Sequence, residues 1–229
     1  MRIADCLFAL ALGFAAALPA SAQVAPSASE VAAYRGLHAA AQRGDVAAID
    51  KLVASGAPVD ARDAQGRTPL HVAAFARQRK AIEALVRGGA ALDLLENDRY
   101  DAVTIASVAD DPQTLALLLS LGASAKQTTS RYDGTALIAA AHLGHDEVVR
   151  QLIRAGAPLD HVNNLHWTAV IESIVLGDGG PRHQRTLAAL IAAGANLQLA
   201  DRQGHSPLAL SKARGYADMT RQLLAAGAK

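Results

Sequence analysis

The 229-residue sequence contains very little cysteine and few aromatic residues. Cys6 is its one cysteine, and the aromatics are three Phe, four Tyr and one Trp. A single thiol excludes an intramolecular disulfide and a cysteine-rich metal site. Aromatics make up 3% of the residues and hydrophobic residues 51%, so the core must consist mainly of Ala, Leu, Val and Ile. These small aliphatic side chains favour thin, closely stacked helices.

The sequence also has no excess of charge of one sign. It holds 22 Lys and Arg against 21 Asp and Glu, which gives a formal net charge of +1. A balance of this kind provides no strong field for nucleic acid or for an anionic membrane. The apolar content is too high for a disordered chain. We therefore expect a folded protein without a nucleic-acid partner.

The N-terminal segment has the pattern of a secretory signal peptide over residues 1–22. Arg2 precedes an apolar run from Leu7 to Leu18, and the small residues Ala20-Ser21-Ala22 follow it. The run is shorter than the roughly 20 residues of a membrane-spanning helix. A buried N-terminal helix or a membrane anchor is the alternative. The pattern predicts cleavage before Gln23, loss of Cys6, a periplasmic or secreted protein, and no membrane contact after cleavage.

A Gly-Ala pair recurs along the rest of the chain. It occurs at six places with spacings of 33, 33, 34, 38 and 33 residues, beginning at Gly56, Gly89, Gly122, Gly156, Gly194 and Gly227. A fixed period of this length is typical of stacked supersecondary units, each of which buries its apolar face only against its neighbours.

Each unit contains the signals for two short helices. Thr68 is a good N-cap, and Pro69 suits the first helical position, in the segment Thr68-Pro69-Leu70-His71-Val72-Ala73-Ala74. Gly144 can end a first helix in the left-handed conformation, and Gly156 can end the second. Between them, apolar residues recur at helical spacing: Val148, Val149, Leu152 and Ile153.

These residues resemble the ankyrin repeat family, whose signature is a Thr-Pro-Leu-His-x-Ala helix opening within a 33-residue unit. The resemblance implies an all-α solenoid of six helix-turn-helix units with finger loops, and a structural role for His38 and His71. The predicted organisation is a signal peptide (1–22), a short linker (23–30) and a repeat domain (31–229), with units at about 31–63, 64–96, 97–129, 130–163, 164–201 and 202–229.

Two features depart from the repeat pattern. Arg77 and Asp110 replace the glycine that ends the first helix in other units. The spacing of 38 places an insertion in the fifth unit, at residues 178–183 between the two predicted helices. An insertion of this kind is either a projecting contact loop or a neutral lengthening of a surface turn.

Aromatic and basic residues cluster where the predicted fingers meet the first helices, on the surface that we call the concave face. Tyr and Trp beside Arg are the residues that most often anchor protein interfaces. The candidate partner-binding residues are therefore Arg99, Tyr100, Arg131, Tyr132, His166 and Trp167. The alternative is that the three rings pack on one another and stiffen the fingers.

The sequence shows no catalytic pattern of paired carboxylates, Gly-x-Ser-x-Gly or His-Glu-x-x-His. We therefore expect a monomeric, non-catalytic protein-interaction module of the periplasm, without cofactor or metal, that docks an unidentified protein on the concave face. The alternative function is a small-ligand or metal-responsive binding protein that uses His161, His166 and the 178–183 loop.

Overall fold

The structure is a computed structural model that describes residues 23–229. The predicted signal peptide lies outside these residues. A short helix, α1 (Ala28–Ala33), precedes six helix pairs. The pairs are α2 (Gly36–Arg43) with α3 (Val46–Ala54), α4 (Pro69–Phe75) with α5 (Arg79–Arg87), α6 (Ala102–Val108) with α7 (Pro112–Ser120), α8 (Ala136–His142) with α9 (Asp146–Arg154), α10 (Ala169–Val175) with α11 (Pro181–Ala192), and α12 (Pro207–Ala213) with α13 (Ala217–Ala225).

The helix pairs stack side by side into two layers. Each first helix, from α2 to α12, contacts the first helix of the next pair, and the second helices contact one another in the same order. The six pairs and their stacking confirm the predicted solenoid. Aliphatic side chains fill the space between the layers, and the largest fully buried ones are Ile49, Leu70, Ile82, Leu85, Ile105, Leu115, Leu118, Leu137, Leu152, Ile171, Ile174 and Leu187.

Side-chain caps begin most of the first helices. The side chains of Asp101, Thr135 and Thr168 each accept a hydrogen bond from the backbone N–H three residues further on. At α4 the N–H of Thr68 donates to Nδ1 of His71 (3.0 Å), while Nε2 of His71 lies 3.0 Å from the carbonyl oxygen of Leu94 in the next finger. His71 therefore joins its own helix cap to the neighbouring unit.

The turn between paired helices keeps a left-handed residue even where glycine is missing. Gly44 and Gly144 have φ of 70° and 67°, and Arg77 and Asp110 adopt φ of 56° and 50° at the matching positions. Glycine adopts this conformation without steric cost, whereas other residues are strained there. The helix pairs of the second and third units survive both substitutions.

Two elements go beyond the predicted helix pairs. The finger before α8 contains a small antiparallel hairpin, β1 (Thr128–Thr129) with β2 (Gly134–Thr135). Helix α1 crosses the predicted boundary between linker and repeat domain at residue 30. It is held by an ion pair between Glu30 and the buried Arg67. Among residues 23–229, no helix has the length and apolar character needed to cross a membrane.

Candidate docking site

The fingers that carry most of the predicted site residues are tight turns with a left-handed residue at the tip. In the finger before α10, Oδ1 of Asn163 accepts the N–H groups of Leu165 and Trp167, each at 3.0 Å. His166 has φ of 65° at this tip, and Arg99 has φ of 66° in the finger before α6. Gly66 and Gly204 are left-handed in two other fingers, and Asp133 is left-handed in the finger before α8. Arg99 and His166 thus occupy the outermost position of their turns, with their side chains exposed.

Ion pairs and backbone hydrogen bonds link neighbouring fingers. Nη1 of Arg99 lies 3.1 Å from Oδ1 of Asp133, and Arg131 pairs with Asp98 in the opposite direction. The N–H of Ser130 also donates to the carbonyl oxygen of Arg99 (2.8 Å). Both predicted arginines therefore connect the fingers of the third and fourth units, and about half of each side chain stays exposed.

A cavity of about 510 Å³ opens on the concave face between these fingers and the first helices of the third, fourth and fifth units. Tyr100 and Tyr132 both line it, so the structure brings these two predicted residues together. Its wall is mostly apolar, with hydroxyl groups from the hairpin and helix α6. The other lining residues include Thr104, Thr129, Ser130, Ile138, His142, His145, Asn163 and Glu172.

Glu172 is an acidic side chain within this otherwise apolar and neutral wall. It is 4% exposed. Its Oε1 accepts a hydrogen bond from Nδ2 of Asn163 at 3.0 Å. Its Oε2 is buried and has no hydrogen-bond partner among the described residues, and Nδ1 of His142 lies 3.6 Å from it. Burial raises the pKa of Glu172 to about 7.

His142 also titrates away from its ordinary range. Burial lowers its pKa, and the neighbouring His183 and His145 lower it further. The imidazole therefore does not supply a fixed positive charge to Glu172 near neutral pH. The cavity combines two tyrosine rings, several hydroxyl groups and one buried acid without a basic counter-ion.

Trp167 and His166 are not among the residues that line this cavity. Trp167 is half-buried and His166 is exposed, both on the finger of the fifth unit. Within residues 23–229, the rings of Tyr34 and His38 form an aromatic pair, with 5.4 Å between their centroids. Tyr100, Tyr132 and Trp167 form no such ring pair with one another in the part of the chain that the structure describes. The interface role of the three rings and the alternative that they stiffen the fingers both stay predictions.

The residues of the alternative ligand site lie apart. Nε2 of His161 lies 2.6 Å from the carbonyl oxygen of Asp133, so this ring links two fingers. The 178–183 segment follows the other end of α10 from His161 and His166. Across residues 23–229, no group of three or more His, Cys, Asp or Glu side chains is arranged to hold a metal ion.

The 178–183 insertion packs against the fourth unit. It leads into α11, which is 12 residues long where the other second helices have nine. His183 is buried, with Nδ1 2.8 Å from Oδ1 of Asp178 and Nε2 2.9 Å from the carbonyl oxygen of His142. Arg182 extends to Asp110 of the third unit (2.7 Å). The insertion therefore fastens three units together.

Sequence reasoning missed Glu172, although the repeat contains a signal for it. Glu172 follows its helix cap, Thr168, by four residues. The matching position is apolar in the other five units: Ala39, Val72, Ile105, Ala139 and Leu210. An acidic residue at a repeat position that is apolar in the other units predicts a buried carboxyl group. Buried charged groups are rarely found without a partner.

Comparison with known proteins agrees with this architecture. A family model described as ankyrin repeats (three copies) matches residues 37–129, and one described as an ankyrin repeat matches residues 132–164. YahD of Escherichia coli (strain K12), a protein named for its ankyrin repeats, is 30% identical over 190 residues, which cover 82% of this chain and 94% of YahD.

Two solved structures are similar over most of the chain. One is an ankyrin repeat domain from Acinetobacter baumannii AYE, with 42% identity and a TM-score of 0.79, covering 84% of this chain and 98% of the other. The second is the ankyrin repeat domain of Bcl-3, described as a member of the IkappaB protein family, with 27% identity and a TM-score of 0.77, covering 86% and 87%. Ankyrin repeats typically form non-catalytic protein-interaction modules. The chain belongs to the ankyrin repeat family.

Proposed function

We propose that the protein acts as a monomer in the periplasm and docks a partner protein on its concave face, centred on the third to fifth units. The observation that carries this proposal is the cavity of about 510 Å³ shared by Tyr100 and Tyr132. Interface anchors are typically aromatic side chains beside a desolvated pocket, and an apolar wall provides the burial that binding requires.

The surroundings of the cavity support docking of a protein rather than of a free small ligand. The fingers on both sides are tied together by the Arg99–Asp133 and Arg131–Asp98 ion pairs. Such links hold the two tyrosines in place before binding, which reduces the entropy lost on association. The periplasmic location is proposed from the signal-peptide pattern of residues 1–22.

An affinity-capture experiment tests the docking surface. The wild-type chain, the Tyr100→Ala/Tyr132→Ala variant and a Leu224→Ala control would each be immobilised and exposed to periplasmic extract of the native host. Leu224 is 51% exposed on α13, away from the cavity. The wild type and the control should retain the same partner and the double variant should lose it, with thermal melting showing that all three are folded.

Equal capture by the double variant would contradict this placement. A separate Trp167→Ala variant defines the extent of the surface. Because Trp167 does not line the cavity, we expect a smaller loss of partner than the double variant shows.

A further inference from the structure

The cavity on the concave face contains an acidic side chain, Glu172, whose carboxyl group is only partly hydrogen-bonded. Its Oε2 atom is buried without a hydrogen-bond partner among the described residues. A buried acceptor left unpaired is costly, and the cost is larger for a charged group. The other four units with a capped first helix show that an apolar residue fits this position, since Val72, Ile105, Ala139 and Leu210 occupy it. The acid is therefore not required by the fold.

A cationic group is the ligand that pairs best with the buried Oε2 of Glu172. Within the described part of the chain, neither lysine nor arginine lines the cavity. The titratable groups that line it together with Glu172 are His142, His145, Tyr100 and Tyr132, and Nδ1 of His142 lies 3.6 Å from Oε2. The faces of tyrosine rings attract a cation, and an apolar wall accommodates the methylene stem that carries it.

The chain itself indicates how such a group reaches the cavity. Gln23 lines the cavity, and its Nε2 is buried without a partner among residues 23–229. The residues that follow Gln23 are held in place: Ser27 caps α1, and Glu30 of that helix pairs with Arg67. A polar, hydrogen-bond-donating side chain carried by an irregular segment is therefore accommodated at this cavity.

We propose that the cavity over Glu172 is a subsite for a lysine or arginine side chain of the docked partner protein. The cation pairs with Oε2 of Glu172, and its methylene stem lies along Tyr100 and Tyr132. This assignment rests on the proposed function and adds the chemistry by which the partner is recognised.

Binding at this subsite should strengthen as the pH rises. With a pKa of about 7, Glu172 is mostly neutral at pH 6 and mostly ionised at pH 8. The gain in the ionised fraction over this interval is about tenfold. Protonation of His142 at low pH repels a cation and changes affinity in the same direction.

Selection of peptides tests the proposal without knowledge of the natural partner. A phage-displayed library of random twelve-residue peptides would be panned against the full chain, against Glu172→Gln and against Glu83→Gln. Glu83 lies exposed on α5 and provides the same charge change elsewhere. Peptides selected by the wild type and by Glu83→Gln should be enriched in Lys or Arg, and this enrichment should disappear with Glu172→Gln.

Synthesised peptides from this selection would then be titrated. Replacing their basic residue by alanine, or Glu172 by Gln, should each weaken binding about tenfold or more, and the two changes together should cost no more than either one. Loss of a basic residue that affects wild type and Glu172→Gln equally would overturn the subsite.

The outcomes separate this inference from the proposed function. Selected peptides that need Tyr100 and Tyr132 but carry no basic residue would refute the subsite and leave the docking surface standing. Failure of the wild type to select any peptide would count against both. A titration with n-butylammonium chloride is the remaining arm, and binding as tight as that of the selected peptides would show a small-amine site instead of a partner side chain.

Discussion

At the scale of single residues, the burial of Glu172 makes the folded state less stable when its carboxyl group is ionised. Its folded-state pKa is about 7, above the ordinary value of 4.5. The folded state therefore holds its proton more tightly than the unfolded chain does. The resulting stabilisation is fully present below pH 4.5 and is lost as the pH rises through 7.

We predict that Glu172→Gln is more stable than wild type at pH 8, by about 3 kcal/mol at most, because the amide needs no deprotonation. Asn163 can still donate to the oxygen of the glutamine. Near pH 4.5 the acid is protonated in the folded state and half protonated in the unfolded chain, so the two proteins should differ by less than about 0.5 kcal/mol. Urea unfolding at both pH values measures the difference, and a variant that is less stable than wild type at pH 8 would contradict the burial argument.

At the scale of elements, the insertion at residues 178–183, which includes the start of α11, links the third, fourth and fifth units through hydrogen bonds and an ion pair. The repeat spacing predicted either a projecting contact loop or a neutral lengthening of the turn. It could not predict the hydrogen bonds of His183 and Arg182, because these join residues about 40 and 70 positions apart. The hydrophobic period carries no information about such contacts. The helix pairs themselves were predictable, since their caps, apolar positions and terminating glycines are local.

His183→Ala should lower the free energy of unfolding by about 2 kcal/mol, since it leaves the carbonyl oxygen of His142 without its imidazole partner. Lys212→Ala, an exposed change on α12, should stay within about 0.5 kcal/mol of wild type. Chemical denaturation of the wild type and the two variants measures these differences in the free energy of unfolding. Equal stabilities would mean that the insertion is neutral.

At the scale of the whole molecule, the period of 33 residues determines the fold because every unit buries its face only against its neighbours. The candidate site was predicted in part. Tyr100 and Tyr132 lie on one cavity, whereas Trp167 lies off it and Glu172 went unnoticed. Repeat spacing indicates which units are adjacent, but the cavity that several units enclose depends on side-chain volumes and finger turns that no single unit encodes.

Export is a further prediction at this scale. When the full gene is expressed in a bacterium with a functional secretion system, the protein should appear in the periplasmic fraction. Its intact mass should correspond to a chain that begins at Gln23, because the small residues before it suit signal peptidase. An uncleaved chain in the cytoplasmic fraction would contradict the signal-peptide interpretation.

Site-specific photo-crosslinking in the native host is the most direct test that a partner docks over the cavity of the third to fifth units. A photoreactive benzoyl-phenylalanine would replace Tyr132 in one strain and Ala188 in another. Ala188 is exposed on α11, the second helix of the fifth unit. We expect a covalent adduct with one partner protein from position 132 and none from position 188. Adducts from position 188 alone would contradict it.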